Sequence, residues 1–138
     1  MSHTVLIADD SIFIRQALCN IFDREEDFNV CGEAENGREA VDKARELHPD
    51  LILLDLSMPV MNGLDATRVL KRVMPKVPVI MFSMYSDSCT EKEARSAGVS
   101  ALVSKFEHIS VLLGKARSSL EPEELRTFQS PFGRGRRS

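Results

Sequence analysis

Asp9 and Asp10 form an adjacent acidic pair, and Asp55, Ser83 and Lys105 are the other side chains whose types and placement suit them to joint chemistry. Each stands at or just past the end of a short apolar run: Val5-Leu6-Ile7-Ala8 before the acidic pair, Leu51-Ile52-Leu53-Leu54 before Asp55, Val79-Ile80-Met81-Phe82 before Ser83, and Ala101 to Ser104 before Lys105. Carboxylates gathered within a few Å repel one another unless a cation neutralises them. A hard divalent ion with oxygen ligands is the natural answer, and Mg²⁺ suits a site of carboxylates, a carbonyl oxygen, water and phosphate oxygens. None of His3, His48 and His108 has metal-ligand spacing with a cysteine or a second histidine, which argues against a softer metal. With the ion in place, one carboxylate can attack phosphorus while metal and lysine neutralise the transferring oxygens. In that chemistry Asp55 is the nucleophile, Lys105 the counter-charge, and Ser83 a hydroxyl that can donate to a phosphoryl oxygen.

These groups can meet only if the runs that carry them lie side by side. Short apolar runs alternate with helix-period segments five times, which predicts βα units and a parallel sheet. The spacing predicts strands over 4–8, 28–33, 51–56, 77–82 and 101–104. A first helix, with Ile14, Leu18, Ile21 and Phe22 on one stripe, follows a Ser11 cap, and a second, with Ala40, Val41, Ala44 and Leu47, stops at Pro49. Further helices are expected over about 64–73, 88–97 with Gly98 at its end, and 108–120. The first, third and fourth runs are continuously apolar, as strands buried on both faces are, while the second and fifth read as edges. The expected fold class is therefore α/β: a flavodoxin-like, doubly wound (βα)5 parallel sheet with strand order 2-1-3-4-5. That order makes the first and third strands neighbours and gathers all the chemistry on the carboxyl rim, where open parallel sheets bind ligands.

Each residue alone has an ordinary reading. Asp9-Asp10-Ser11 could cap a helix, Asp55 could be a loop acid, Ser83 a turn hydroxyl and Lys105 a solvated lysine. Their joint placement on one rim favours chemistry. Met58, Met61, Met74, Met81 and Met84 read as core filling, and Cys19, Cys31 and Cys89 as buried or half-buried hydrophobes in a reducing compartment.

Four segments carry a resemblance: Ile7-Ala8-Asp9-Asp10-Ser11, Leu53-Leu54-Asp55-Leu56-Ser57-Met58-Pro59-Val60-Met61-Asn62-Gly63, Val79-Ile80-Met81-Phe82-Ser83 and Ser104-Lys105. Together, over roughly residues 4 to 119, the chain resembles the receiver domains of response regulators. The resemblance implies a two-component phosphoacceptor switch rather than an enzyme. Asp55 would take a phosphoryl group from a histidine kinase or phosphotransfer protein, and a downstream output protein or domain would respond. It further implies that Asp10, Asp55 and the Ser57 backbone carbonyl bind Mg²⁺ directly and Asp9 through water, with Ser83 and Lys105 as switch hydroxyl and phosphate-binding lysine. Homodimerisation through the fourth helix, fifth strand and fifth helix is a further arrangement it allows. The chain departs from the family pattern at Leu102, where an aromatic is usual, and at Phe106, where proline is usual; Tyr85 stands where receivers vary and where a side chain can hinder water.

The remaining signals bound the reading. With 138 residues, of which 43% are hydrophobic, the chain can bury one core without disulfides. Residues 1–120 are expected to form the receiver domain and 121–138 a mobile C-terminal tail. The net charge of -3 argues against direct nucleic-acid contact by this domain, and the arginines at 134, 136 and 137 read as a solvated end. No basic leader and no run of about 18 apolar residues occurs, so a cytoplasmic protein with no membrane partner is expected. A dehalogenase-like phosphatase would place its two acids two residues apart after the first strand, and a dinucleotide site would need Gly-x-Gly-x-x-Gly there; the chain has neither. A receiver-like scaffold with silent chemistry is the serious rival.

Overall fold

The five apolar runs form one parallel sheet in the computed structural model, which describes residues 2–84 and 88–121. The elements alternate throughout: β1 (His3–Ala8), α1 (Ile12–Asp23), β2 (Phe28–Ala34), α2 (Gly37–Leu47), β3 (Leu51–Asp55), α3 (Gly63–Val73), β4 (Val79–Ser83), α4 (Ser88–Ala97), β5 (Ala101–Ser104) and α5 (Ile109–Leu120). The strand order is β2-β1-β3-β4-β5, so the doubly wound flavodoxin-like order expected from the apolar runs is the one found.

Alternation along each strand divides the core. Val5, Ile7, Leu51, Leu53, Ile80 and Phe82 face one side, where Leu18 and Phe22 of α1 and Leu112, Leu113 and Ala116 of α5 cover them. Leu6, Ala8, Ile52, Leu54 and Val79 face the other, under Ala40, Val41 and Ala44 of α2 and Ala66 and Leu70 of α3. Every residue of β3 and β4 is buried, whereas β2 and β5 are only partly so, as sheet edges are.

Boundaries differ from the expected ones for local reasons. β4 begins at Val79 rather than 77 because Pro78 has no N–H to give the ladder; its carbonyl still accepts from Ile52 at 3.1 Å. α5 begins at Ile109 because His108 is its extended N-cap, with Nδ1 accepting from the Ser110 N–H at 3.1 Å. α2 ends at His48, in the left-handed region at φ 50°, just before Pro49. α4 ends at Gly98, where φ of 107° explains the glycine. Among the described residues no helix is long and apolar enough to cross a membrane.

Two minor expectations are corrected. Cys19 and Cys31 are half-buried, but Cys89 is exposed because it sits on the first turn of α4, away from the small Ala94 and Ala97 that bury that helix. Met58 and Met81 are buried, yet Met84 is half exposed, since it lies past the end of β4 where the sheet no longer covers it. Tyr85 and residues 122–138 lie outside the described residues.

Candidate functional site

Parallel pairing brings the predicted residues to one rim. Ala8 pairs with Leu54, Asp55 with Phe82 and Ser83 with Ser104, so the residues at or beyond these four strand ends share one edge. Asp9, Asp10 and Asp55 each place a carboxylate oxygen there, all within 4.8 Å of one another. Asp9 is fully buried and Asp55 is 3% exposed, whereas Asp10 faces solvent.

Lys105 reaches into this cluster. Its Nζ lies 3.1 Å from Asp55 Oδ1 and 3.2 Å from Asp9 Oδ2, with the side chain 13% exposed. The same ammonium sits 5.1 Å from the centre of the Phe82 ring. The backbone aims it, because the Lys105 N–H donates to the Ser83 carbonyl at 2.8 Å, extending the β4–β5 ladder by one rung. Asp55 Oδ1 also accepts from the Ser57 N–H at 3.3 Å. Asp9 Oδ1 accepts from the Ser11 N–H at 2.8 Å, but buried Oδ2 has the ion pair with Lys105 and no hydrogen bond of proper geometry.

One lysine cannot balance three acids. Burial, then the nearby Asp9 carboxylate, push the Asp55 carboxyl up to about 6, against the opposing pull of Lys105 and the Ser57 N–H. A divalent cation would relieve the repulsion, and the residues present fit one: an all-oxygen donor set with buried Asp9 Oδ2 short of a hydrogen bond. The rim beside the cluster opens into a shallow depression of about 550 Å³, lined by Asp10, Ser57, Met58 and Asn62 among others.

The loop after Asp55 is drawn tight around this site. Asn62 caps α3 by accepting from the Asp65 N–H at 2.9 Å, and the Gly63 N–H returns to the Leu56 carbonyl at 2.9 Å. Met61 N–H donates to the Pro59 carbonyl at 2.7 Å across Val60, whose φ of 69° is unusual for a β-branched residue. Gly63 is required by close approach: a Cβ there would overlap the Asp55 carbonyl oxygen and lie 3.0 Å from Leu56 Cα. Gly63→Ala is expected to cost about 1 to 3 kcal/mol by overpacking. Gly114→Ala, on α5 with nothing within 4 Å of the added methyl, should instead gain about 0.4 to 1 kcal/mol. Urea unfolding of both variants checks the pair, and equal effects would contradict the packing described around Asp55.

All of Asp9, Asp10, Asp55, Ser57, Ser83 and Lys105 stand on this rim; Ser83 is 4% exposed at the end of β4. Two contributors escaped the sequence reading. Arg15 donates from Nη1 to the Asp9 carbonyl at 2.7 Å, and its only signal was a basic residue one turn past the Ser11 cap. The Gly37 N–H donates to the Met61 carbonyl at 2.9 Å, and a Cβ on Gly37 would overlap that oxygen, a contact between distant segments that spacing does not show.

Comparison with known proteins adds an independent line. The sequence profile of the family described as response regulator receiver domain matches residues 5–117. The chemotaxis protein CheY of Thermotoga maritima is 39% identical over 105 residues, covering 76% of this chain and 87% of that protein. The transcriptional regulatory protein LnrK of Bacillus subtilis is 37% identical over 101 residues, 73% of this chain and 46% of LnrK. A protein-glutamate methylesterase/protein-glutamine glutaminase of Methanosarcina mazei is 42% identical over 104 residues, 74% of this chain and 29% of that protein. The chain thus spans less than half the length of either of these two longer relatives. Among solved structures, the response regulator domain of Thermotoga maritima CheB superposes with a TM-score of 0.82 at 33% identity, covering 88% of this chain and 100% of that one. With an acidic rim, a β2-β1-β3-β4-β5 sheet and a profile match over most of its length, the chain belongs to the response regulator receiver domain family.

Proposed function

We propose that this chain, with residues 1–120 as its receiver domain, is a phosphoacceptor switch of a two-component system. In this reading Asp55 takes a phosphoryl group from a histidine kinase or phosphotransfer protein in a Mg²⁺-dependent reaction. The observation that carries the reading is the convergence of Asp9, Asp10 and Asp55 around Lys105 at the carboxyl rim of the sheet. The CheY of Borrelia burgdorferi, 29% identical with a TM-score of 0.82 over 87% of this chain and 90% of that one, was solved in complex with CheX, BeF3 and Mg²⁺. This supports a Mg²⁺-dependent phosphoacceptor role here.

Asp55 attacks phosphorus with one carboxylate oxygen; a new O–P bond forms as the N–P bond to the donor histidine breaks, and the histidine nitrogen keeps the electron pair. Oδ1 is held by Lys105 Nζ and the Ser57 N–H, which leaves Oδ2 as the attacking atom. Lys105 offsets charge on the transferring oxygens, and the Ser83 hydroxyl donates to one of them once the group has arrived. Asp10, Asp55 and the Ser57 carbonyl would hold Mg²⁺ directly and Asp9 through water, the ion supplying charge neutralisation when bound. The new contacts exist in only one of two states and so shift the equilibrium between them. At the usual aromatic position the half-buried Leu102 lends its carbonyl to Lys115 Nζ at 3.2 Å, so coupling to output runs without an aromatic flip. The switch acts in the cytoplasm on an output protein or domain, with no direct nucleic-acid contact by this domain; α4, β5 and α5 form the face for homodimerisation.

Acid-quenched intact-mass analysis after incubation with acetyl phosphate tests the reading. One added phosphoryl group is expected with Mg²⁺ and none with chelator. Addition that is independent of Mg²⁺ would contradict the proposed chemistry, and no addition at all would favour a silent scaffold.

A further inference from the structure

Arg15 ties three elements together behind the acidic rim. It lies on the first turn of α1, with its side chain only 12% exposed. Nη1 donates to the Asp9 carbonyl at 2.7 Å, while Nε donates to Glu33 Oε1 at 2.9 Å, near the end of β2. Three polar groups of Asp9 are held: its N–H donates to the Ala34 carbonyl at 3.0 Å, its carbonyl accepts from Arg15, and its Oδ1 accepts from the Ser11 N–H. The peptide that Arg15 grips is the one joining Asp9 to Asp10. Its orientation therefore sets where the exposed Asp10 carboxylate stands relative to Asp55.

The Arg15 guanidinium is paired with a carboxylate outside the acidic rim, Glu33 Oε1 at 2.9 Å, so its contact with the rim is the hydrogen bond to the Asp9 carbonyl. Burial, then the Glu33 carboxylate, push the nearby Cys19 thiol on α1 up to about 11. That thiol stays protonated at neutral pH and is a poor nucleophile. A lysine at position 15 could reach one oxygen but lacks the planar fork that serves two acceptors at once.

We propose that Arg15 is a positioning residue for the cation site: tethered to Glu33 on β2, it holds the Asp9–Asp10 peptide so that both carboxylates are presented toward Asp55. The proposal rests on the Mg²⁺-dependent reading above and names a residue that touches neither metal nor phosphoryl group. A plain structural clamp between α1 and β2 would affect stability alone. A positioning residue one layer behind a metal affects affinity, by about 10-fold or more when removed.

Calorimetric Mg²⁺ titration of the whole chain separates the two. Arg15→Gln is expected to weaken Mg²⁺ binding by about 10-fold, with Arg15→Lys recovering part of the loss and Glu33→Gln losing less than Arg15→Gln. Asp10→Ala defines the binding that remains without the site. At saturating Mg²⁺ the Arg15→Gln protein should again be phosphorylated, since its reacting groups are intact. Wild-type Mg²⁺ affinity in Arg15→Gln, whatever its melting temperature, would overturn the proposal. Should that variant not fold, Glu33→Gln and Arg15→Lys decide in the same way, and wild-type affinity in both overturns it. A wild-type chain that binds Mg²⁺ but accepts no phosphoryl group would sink the phosphoacceptor reading and leave the affinity comparison for Arg15 standing.

Discussion

Asp55→Asn is expected to make the metal-free protein more stable at pH 7, by about 2 to 3 kcal/mol. The Asp55 carboxyl is raised from 3.8 to about 6, chiefly by burial and then by Asp9. The native state therefore binds more protons than the unfolded chain between about pH 4 and pH 6, and stability falls as pH rises through that window. Above about pH 6 the native carboxyl is ionised and the full cost is present. About two pH units, at about 1.4 kcal/mol each, correspond to about 3 kcal/mol. Asparagine cannot ionise, so the variant should show a flatter curve that meets the wild type near pH 4 and lies above it at neutral pH. It gives up the charged contact with Lys105, which trims the gain, but Lys105 retains its ion pair with Asp9. Adding Mg²⁺ should raise wild-type stability and leave Asp55→Asn nearly unmoved. Urea unfolding between pH 4 and 8, with and without chelator, reads all of this, and a variant less stable than wild type at pH 7 would contradict the account of the acidic cluster.

Removing the lysine should act in the opposite direction. Lys105→Met leaves Asp9 and Asp55 buried side by side with no cation between them, and taking away one partner of a buried pair costs about 3 to 5 kcal/mol. The lower end is expected here, because Asp55 can take up a proton at a still higher pH once Lys105 no longer holds it down. The loss should be greatest in metal-free protein at pH 7 and fade toward pH 4 as Asp55 protonates. It should also be partly offset by Mg²⁺, which supplies the missing charge. In the Asp55→Asn background the same substitution should cost less, since only Asp9 then remains unpaired. A double-mutant cycle with these two changes measures that coupling, and additive effects would mean that Lys105 does not bridge the two acids.

Much of this site was legible because its residues are tied to strand ends. Continuous apolar runs before Asp9, Asp55 and Ser83 mark strands buried on both faces, and only a parallel order that makes the first and third neighbours gathers the acids. Edge character in β2 and β5 showed in their polar residues and reappears in their partial burial. What escaped was whatever depends on contacts between distant segments. Periodicity did not reveal that Arg15 folds back on the Asp9 carbonyl, or that Gly37 leaves room for the Met61 carbonyl. Met84 and Cys89 read as apolar filling, but their exposure follows from where β4 stops and which face α4 buries. The positive φ of Val60 was also hidden, because a β-branched residue gives no hint of a turn that glycine would accept more easily.

The central claim is that Asp55 is the group that becomes covalently modified. The most direct test incubates the full chain with Mg²⁺ and acetyl phosphate, reduces any acyl phosphate with borohydride, and maps the altered residue by peptide mass spectrometry. The account predicts reduction of residue 55 to homoserine, dependent on Mg²⁺ and absent in Asp55→Asn. A modification at Asp9, Asp10 or any other residue, or one that persists in Asp55→Asn, would contradict it.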